Sequence, residues 1–116
     1  MTVTMFGIPN CDTIKKAKKW LEAENIAFDF HDYRKQGIDA ALVTEFCNEL
    51  GWEQVLNKRG TTYRQLSQEQ KDSLNPETAI TLLVENPAMI KRPILKIEDQ
   101  LFIGFKADQY ATIFNS

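Results

Sequence analysis

A single cysteine near the N-terminus is the residue whose type and position best suit it to chemistry. Cys11 follows an alternating, β-rich segment and precedes a segment with helical spacing of apolar residues. At a helix start, unpaired backbone N–H groups and the helix dipole favour the thiolate, which is the nucleophilic form of cysteine. The functional interpretation is thiol redox or thiol-transfer chemistry. The alternative is a small residue that simply fits a helix start.

The position that would complete a C-x-x-C motif is Ile14, so Cys11 has no neighbouring thiol for a local disulfide. A single thiol needs an external reductant, such as glutathione or another protein's thiol, to complete a redox cycle. The second cysteine, Cys47, lies on the apolar row of a predicted helix, which favours a buried core residue over a resolving thiol. We therefore predict a monothiol mechanism with no bound cofactor, in which glutathione or another protein's thiol serves as the reductant.

Basic residues elsewhere in the chain are candidates for binding an anionic ligand. Arg92 precedes Pro93 at the start of a predicted strand, and its guanidinium offers a permanent charge with several donors for an oxyanion. Lys15 follows Cys11 by about one helical turn, and Arg59 lies in a polar, loop-like cluster. For Lys15 the alternative interpretation is a solvated helix face, and the cluster around Arg59 is a weak signal taken alone.

The spacing of apolar residues predicts the elements that must position these side chains. Strands are expected at residues 2–6, 27–32, 93–97 and 101–104. A helix is expected at residues 11–24, another at 107–114, and only helices between about 37 and 88, where capping patterns recur. The last two strands read as a hairpin connected by residues 98–100.

This order of elements predicts an α/β, thioredoxin-like fold. A β-α-β opening favours two parallel strands, and the later hairpin completes a small four-stranded mixed sheet covered by helices. We expect residues 1–116 to form a single domain with an all-helical insert at about 37–88. Such a fold places its nucleophile after the first strand and a cis X–Pro bond, here Arg92–Pro93, opposite that nucleophile.

Composition argues against several other classes of protein. The net charge of −2 provides no basic field for nucleic acid or for an acidic membrane surface. No apolar run approaches the ~20 residues of a membrane span, and no signal peptide is visible. Two cysteines and one histidine are too few for a disulfide scaffold or a structural zinc site. We expect a cytoplasmic protein without a metal.

Motifs at three places resemble the arsenate reductase (ArsC)/Spx family. They are Asn10-Cys11-Asp12-Thr13 at a helix start, Lys91-Arg92-Pro93-Ile94 before a strand, and Gly104-Phe105 before the last helix. The resemblance covers essentially the whole chain. It is closest to the small, single-cysteine YffB-like branch, whose members are proposed to be glutathione-dependent thiol reductases. Further segments resemble that branch: His31-Asp32-Tyr33-Arg34, Leu50-Gly51-Trp52 and Asn57-Lys58-Arg59-Gly60-Thr61-Thr62.

The resemblance implies an ArsC-like fold and roles for individual residues. It implies that Cys11 is the nucleophile and that Arg92 precedes the family's cis-proline, Pro93. The carboxylates of glutathione are expected to pair with Arg92, with help from Arg59 or Lys15. Asn10 is expected to belong to the same binding site. The implied activity is that of a thiol–disulfide oxidoreductase acting on a small thiol or disulfide, with another protein's thiol as an alternative partner.

Three family positions depart from the arsenate reductase pattern. The register places two further arginines of those enzymes at Asn57 and Phe105, with Arg59 and Lys106 as nearby cations. The histidine that helps to activate the family cysteine falls at Gly7. Because several fixed positive charges are needed to hold a tetrahedral anion, arsenate reduction ranks second as a hypothesis. The third hypothesis is an Spx-like, protein-binding regulator without catalysis, although Spx-type regulators usually carry C-x-x-C.

Overall fold

The structure is a computed structural model that describes residues 2–9 and 11–114. Its four strands are β1 (Val3–Gly7), β2 (Asp29–Asp32), β3 (Ile94–Ile97) and β4 (Gln100–Ile103), in the sheet order β2-β1-β3-β4. β1 pairs in parallel with β2 and antiparallel with β3, and β3 pairs antiparallel with β4. The predicted mixed sheet and thioredoxin-like fold class are therefore confirmed.

The described residues form eight α-helices and one short 3₁₀ helix, Pro87–Met89. The α-helices are α1 (Asp12–Ala23), α2 (Tyr33–Gln36), α3 (Ala40–Leu50), α4 (Trp52–Val55), α5 (Thr61–Arg64), α6 (Gln68–Asp72), α7 (Pro76–Glu85) and α8 (Ala107–Phe114). The chain divides into two compact units. The first comprises residues 1–36 and 92–116, and the second comprises residues 37–91.

The core of the first unit joins one face of the sheet to α1 and α8. The predicted apolar row of α1, Ile14, Ala17 and Leu21, is completely buried against strand residues such as Met5 and Leu95. Complete burial of a large aliphatic side chain contributes roughly 1.5–3 kcal/mol. These contacts hold α1 on the sheet and so determine where its first residue lies.

The last residue of β1 allows an unusually close approach of α1. A Cβ atom built on Gly7 would lie only 2.5 Å from Cδ1 of Ile14, well inside van der Waals contact. The absence of a side chain at Gly7 therefore lets the first turns of α1 pack directly on the end of β1.

The second unit is built mainly from helices whose ends are capped as the sequence indicates. The Ser67 and Gln70 capping box is present at α6, and Asn75 caps α7 with Pro76 at its first position. The unit also contains one isolated antiparallel β-bridge, between Leu56 and Ile90. It departs in this detail from an insert of helices alone, because backbone N–H and C=O groups pair there between two extended segments.

Two local features differ from the sequence-based expectation. Gln100 pairs with Ile97, so the β3–β4 connection is only Glu98 and Asp99, and Glu98 adopts a φ of 54°. Helix α2 was not expected, because one turn carries no periodicity. It begins immediately after Asp32, whose carboxylate accepts from the Arg34 N–H at 2.9 Å.

Candidate active site

One end of the sheet in the first unit receives Cys11 and Arg92–Pro93, which the sequence singled out. Gly7, the last residue of β1, is aligned with Asp32, the last residue of β2, and Phe6 is aligned with Ile94, the first residue of β3. The carboxyl ends of β1 and β2 and the amino end of β3 therefore share one end of the sheet. The segments carrying Cys11, Tyr33 and Arg92 all emerge at that end.

Cys11 occupies the N-cap position of α1. Its backbone is extended (φ −131°, ψ 127°), and its side chain makes no capping hydrogen bond. Its carbonyl oxygen accepts from the Lys15 N–H at 3.0 Å, which begins the helical ladder. The side chain is half-buried against the core of the first unit and forms no disulfide. The thiol is thus placed at the helix N-terminus without being committed to a cap.

Arg92 and Pro93 are joined by a cis peptide bond, as expected from the sequence. Pro93 is buried, and its carbonyl oxygen accepts from the Gly104 N–H at 2.9 Å, just beyond the β3–β4 ladder. Arg92 is half-buried. The backbone beneath the guanidinium is therefore anchored to the sheet while the charged group keeps access to solvent.

Tyr33 is a residue of this sheet end that chemical reasoning from the sequence did not select. Its side chain is 3% exposed, and its hydroxyl has no hydrogen-bond partner among the described residues. Burial raises the pKa of Tyr33 far above the ordinary tyrosine value, and the positive charge of Arg92 opposes this rise. The Tyr33 oxygen therefore lies within electrostatic reach of Arg92. The only signal in the sequence was its place in the segment His31–Arg34.

The backbone that carries Tyr33 is held by its neighbour Asp32. The Asp32 side chain is buried and accepts from the Arg34 N–H, while the Asp32 N–H donates to Oε1 of Gln36 at 2.9 Å. The His31 ring lies 6.0 Å from the Tyr33 ring, centroid to centroid. These contacts bracket Tyr33 on both sides along the chain and fix its direction at the end of β2.

The remaining predicted site residues lie in different surroundings. Lys15 is exposed on α1, one turn after Cys11, and Asn10 lies outside the described residues. Arg59 belongs to the second unit, where its N–H donates to Oδ1 of Asn57 at 3.1 Å. It lines a cleft of about 320 Å³ together with two lysines of the same unit, Lys58 and Lys91. A role for Lys15, Asn10 or Arg59 in binding remains a prediction.

At the three positions that depart from the arsenate reductase pattern, the residues make local structural contacts. The Phe105 ring packs edge-on against Tyr110, with the centroids 4.7 Å apart. The Asn57 side chain closes a local turn by accepting from the Arg59 N–H. Gly7 leaves no room for a side chain beside Ile14. None of these three supplies the charge or the imidazole that the family pattern would place there.

Cys47 has the surroundings of a core residue. It lies on the buried side of α3 with Val43 and Phe46 and is 8% exposed. Burial raises the pKa of the Cys47 thiol, which disfavours the thiolate. The interpretation of Cys47 as a core residue is confirmed by this burial.

Two other features are absent from the part of the chain that the structure describes. No helix within residues 2–9 and 11–114 is long and apolar enough to cross a membrane. The same residues include no group of three or more histidine, cysteine, aspartate or glutamate side chains arranged to hold a metal ion.

Comparison with known proteins gives matches along almost the entire chain. A family model described as the ArsC family matches residues 6–113. A solved structure of a YffB (PA3664) protein is 46% identical with a TM-score of 0.92, covering 96% of this chain and 97% of that one. An arsenate reductase (ArsC) related protein from Brucella melitensis is 43% identical with a TM-score of 0.82, covering 100% and 97%. The global transcriptional regulator Spx of Streptococcus agalactiae is 27% identical over 92% of this chain and 79% of its own length.

Proposed function

Because the chain belongs to the ArsC family, as its motifs predicted, we propose that it is a glutathione-dependent thiol reductase or thiol-transfer protein. Cys11 is the nucleophile of this proposal. The observation that carries it is the position of the Cys11 thiol, uncommitted at the N-cap of α1. The same end of the sheet also receives Arg92 and the cis Pro93.

The proposed reaction uses one protein thiol and two thiol–disulfide exchanges. The Cys11 thiolate attacks the glutathione sulfur of a mixed disulfide, forming a Cys11–glutathione disulfide and releasing the substrate as a thiolate, which takes up a proton. The thiolate of a second glutathione then attacks the glutathione sulfur on Cys11. Oxidised glutathione leaves, and the Cys11 thiolate is restored. In the net reaction the mixed disulfide is reduced and glutathione is oxidised.

Arg92 provides the charge that this reaction needs for ligand binding. Glutathione carries two carboxylates, and a guanidinium binds a carboxylate through parallel N–H···O hydrogen bonds. Because Arg92 is half-buried, its interaction with a carboxylate is less screened than that of an exposed lysine. Lys15, Arg59 and Asn10 are proposed as auxiliary contacts. The need for a reducing glutathione pool implies a cytoplasmic location.

Arsenate reduction is disfavoured as the main activity. The transition state for reaction at a tetrahedral oxyanion needs fixed positive charges around it. Asparagine at position 57 donates without charge, and phenylalanine at position 105 donates nothing and packs against Tyr110. Of the family's three arginines only Arg92 has a counterpart in this sequence.

A protein-binding role is a further candidate, favoured by the similarity to Spx along most of the chain. In that case the fold would dock on another protein, and Cys11 would be dispensable. The Spx-type C-x-x-C is interrupted here by Ile14, so a redox switch within one motif is not available. Binding that persists in Cys11→Ser would favour this candidate over thiol transfer.

The deciding experiment measures adducts on the intact protein. Wild type, Cys11→Ser and Cys47→Ser are treated with oxidised glutathione at neutral pH and analysed by mass spectrometry. We expect one glutathione on wild type and on Cys47→Ser, and none on Cys11→Ser. Turnover of a glutathione mixed disulfide should follow the same pattern. An adduct that requires Cys47, or no adduct at Cys11, would refute the proposed function.

A further inference from the structure

Two tyrosine hydroxyls of the first unit are buried without a hydrogen-bond partner among the described residues. They belong to Tyr33 and Tyr110, whose side chains are 3% and 0% exposed. An unpaired buried hydroxyl costs free energy that phenylalanine in the same place would not lose. Each of the two tyrosines therefore needs a reason, and their surroundings differ.

The surroundings of Tyr110 are aromatic. Its ring lies edge-on to Trp20 and to Phe105, at centroid distances of 5.6 and 4.7 Å. Burial alone raises the pKa of Tyr110. The packing of the ring accounts for a large aromatic residue here, and no charged side chain within the described residues contributes to the rise in its pKa. Tyr110 is therefore a natural reference for a buried tyrosine that serves only the core.

The surroundings of Tyr33 include a charge. Tyr33 directly follows β2 at the end of the sheet where β3 begins, and the Arg92 guanidinium acts on its oxygen. The hydrogen bond from the Asp32 N–H to the Gln36 side chain fixes the backbone next to Tyr33. An unpaired buried hydroxyl, at the end of the sheet that also receives Arg92 and Cys11, points to a task during ligand binding.

We propose that Tyr33 is a positioning residue for Arg92, an inference that rests on the proposed function. When an anionic ligand engages Arg92, the Tyr33 oxygen accepts one guanidinium N–H. The other N–H groups of the guanidinium then face the ligand, which is a carboxylate such as those of glutathione. The hydroxyl that is unpaired in the free protein gains its partner in the bound one.

The protonation state of Tyr33 suits this task. Burial keeps the phenol neutral far beyond physiological pH. A neutral oxygen accepts a hydrogen bond without cancelling the guanidinium charge, whereas a carboxylate in its place would compete with the ligand for Arg92. Tyr33 thus orients the cation and leaves its charge for the anion.

The test compares two alkylating agents that differ in charge. Iodoacetate carries a carboxylate and iodoacetamide is neutral, so the ratio of their rate constants at Cys11 reports how strongly the site attracts an anion. The measurements use a Cys47→Ala background, in which Cys11 is the only cysteine. The variants are Tyr33→Phe, the matched control Tyr110→Phe, Arg92→Ala and the double variant Tyr33→Phe/Arg92→Ala.

We expect Tyr33→Phe to lower the ratio by about fivefold, Arg92→Ala to lower it further, and Tyr110→Phe to leave it unchanged. In the Arg92→Ala background, Tyr33→Phe should have no further effect, because Tyr33 acts through Arg92. Equal ratios in the two phenylalanine variants, or additive effects in the double variant, would overturn the proposal. Unfolding midpoints check that both variants fold. The ratio of alkylation rates is measured without glutathione, so it tests only the role of Tyr33. The proposed function is tested separately, by the presence or absence of a glutathione adduct on Cys11.

Discussion

Replacing Gly7 by alanine tests how closely the nucleophile-bearing helix packs on the sheet. The added methyl group would lie 2.5 Å from Cδ1 of Ile14 and 3.3 Å from its Cγ1. Ile14 is completely buried, so Cδ1 has no solvent-filled space into which it can turn. We expect α1 to shift or Ile14 to leave its preferred rotamer.

Two opposing contributions set the size of the effect. Forcing an extra methyl group into a close-packed core typically costs about 1–3 kcal/mol. Gly7 does not have a positive φ, so alanine fits the backbone and gains about 0.4–1 kcal/mol by restricting the unfolded chain. The overpacking term is larger, and we expect Gly7→Ala to lower the free energy of unfolding by about 1–2 kcal/mol.

A double-mutant cycle with Ile14→Val identifies the cause. Valine lacks the Cδ1 atom that collides with the new methyl group, and alone it should cost about 0.5–1.5 kcal/mol. In the Ile14→Val background, Gly7→Ala should be nearly neutral, which gives a coupling of about 1–2 kcal/mol. Urea unfolding of the wild type, the two single variants and the double variant measures this coupling. The rate of Cys11 glutathionylation should fall in Gly7→Ala and recover in the double variant. Additive stabilities would refute the packing argument.

Four further outcomes are expected. Arg92→Ala should slow glutathionylation of Cys11 more than Lys19→Ala, because Lys19 is exposed two turns along α1; equal rates would remove Arg92 from the site. Cys47→Ala should cost about 1 kcal/mol by urea unfolding and leave turnover intact, whereas a mapped Cys11–Cys47 disulfide would contradict the monothiol mechanism. The two buried tyrosines should make stability fall as the pH rises above about 10, because burial raises their pKa values and unfolding then releases protons. Replacing both by phenylalanine should flatten urea midpoints plotted against pH, and an unchanged slope would contradict this. Arsenate should be reduced far more slowly than a glutathione mixed disulfide, and efficient arsenate turnover that depends on Cys11 would reverse the ranking of the two activities.

Periodicity made most of the fold predictable. Alternating residues in β1 and the spacing of Ile14, Ala17 and Leu21 reflect burial on one face, and burial is the strongest sequence signal of secondary structure. The order of the elements then limited the connectivity to a mixed sheet, because a β-α-β unit places its strands in parallel. The positions of Cys11 and Arg92–Pro93 were predictable as well, because each adjoins the end of a strand that the sequence pattern had already located.

Features that depend on contacts distant in the chain were not predictable. Tyr33 and Arg92 are brought within electrostatic reach only by the pairing of β1 with both β2 and β3. The close approach of Gly7 to Ile14 likewise appears only once α1 lies on the sheet. Helix α2 is a single turn fixed by side chain–backbone hydrogen bonds of Asp32, for which periodicity gives no signal.

The central position of β1 has a consequence for the order in which the protein assembles during synthesis. β1 meets β2 across about 25 residues of chain but meets β3 across about 90. Closing the longer loop costs about 1 kcal/mol more in chain entropy, and β3 leaves the ribosome last of the three strands. The second unit, by contrast, is one continuous stretch from residue 37 to residue 91. We expect the amides of the second unit to gain protection from hydrogen exchange on nascent chains that end before Ile94. The amides of β1 should remain unprotected until the β3–β4 hairpin has emerged from the ribosome.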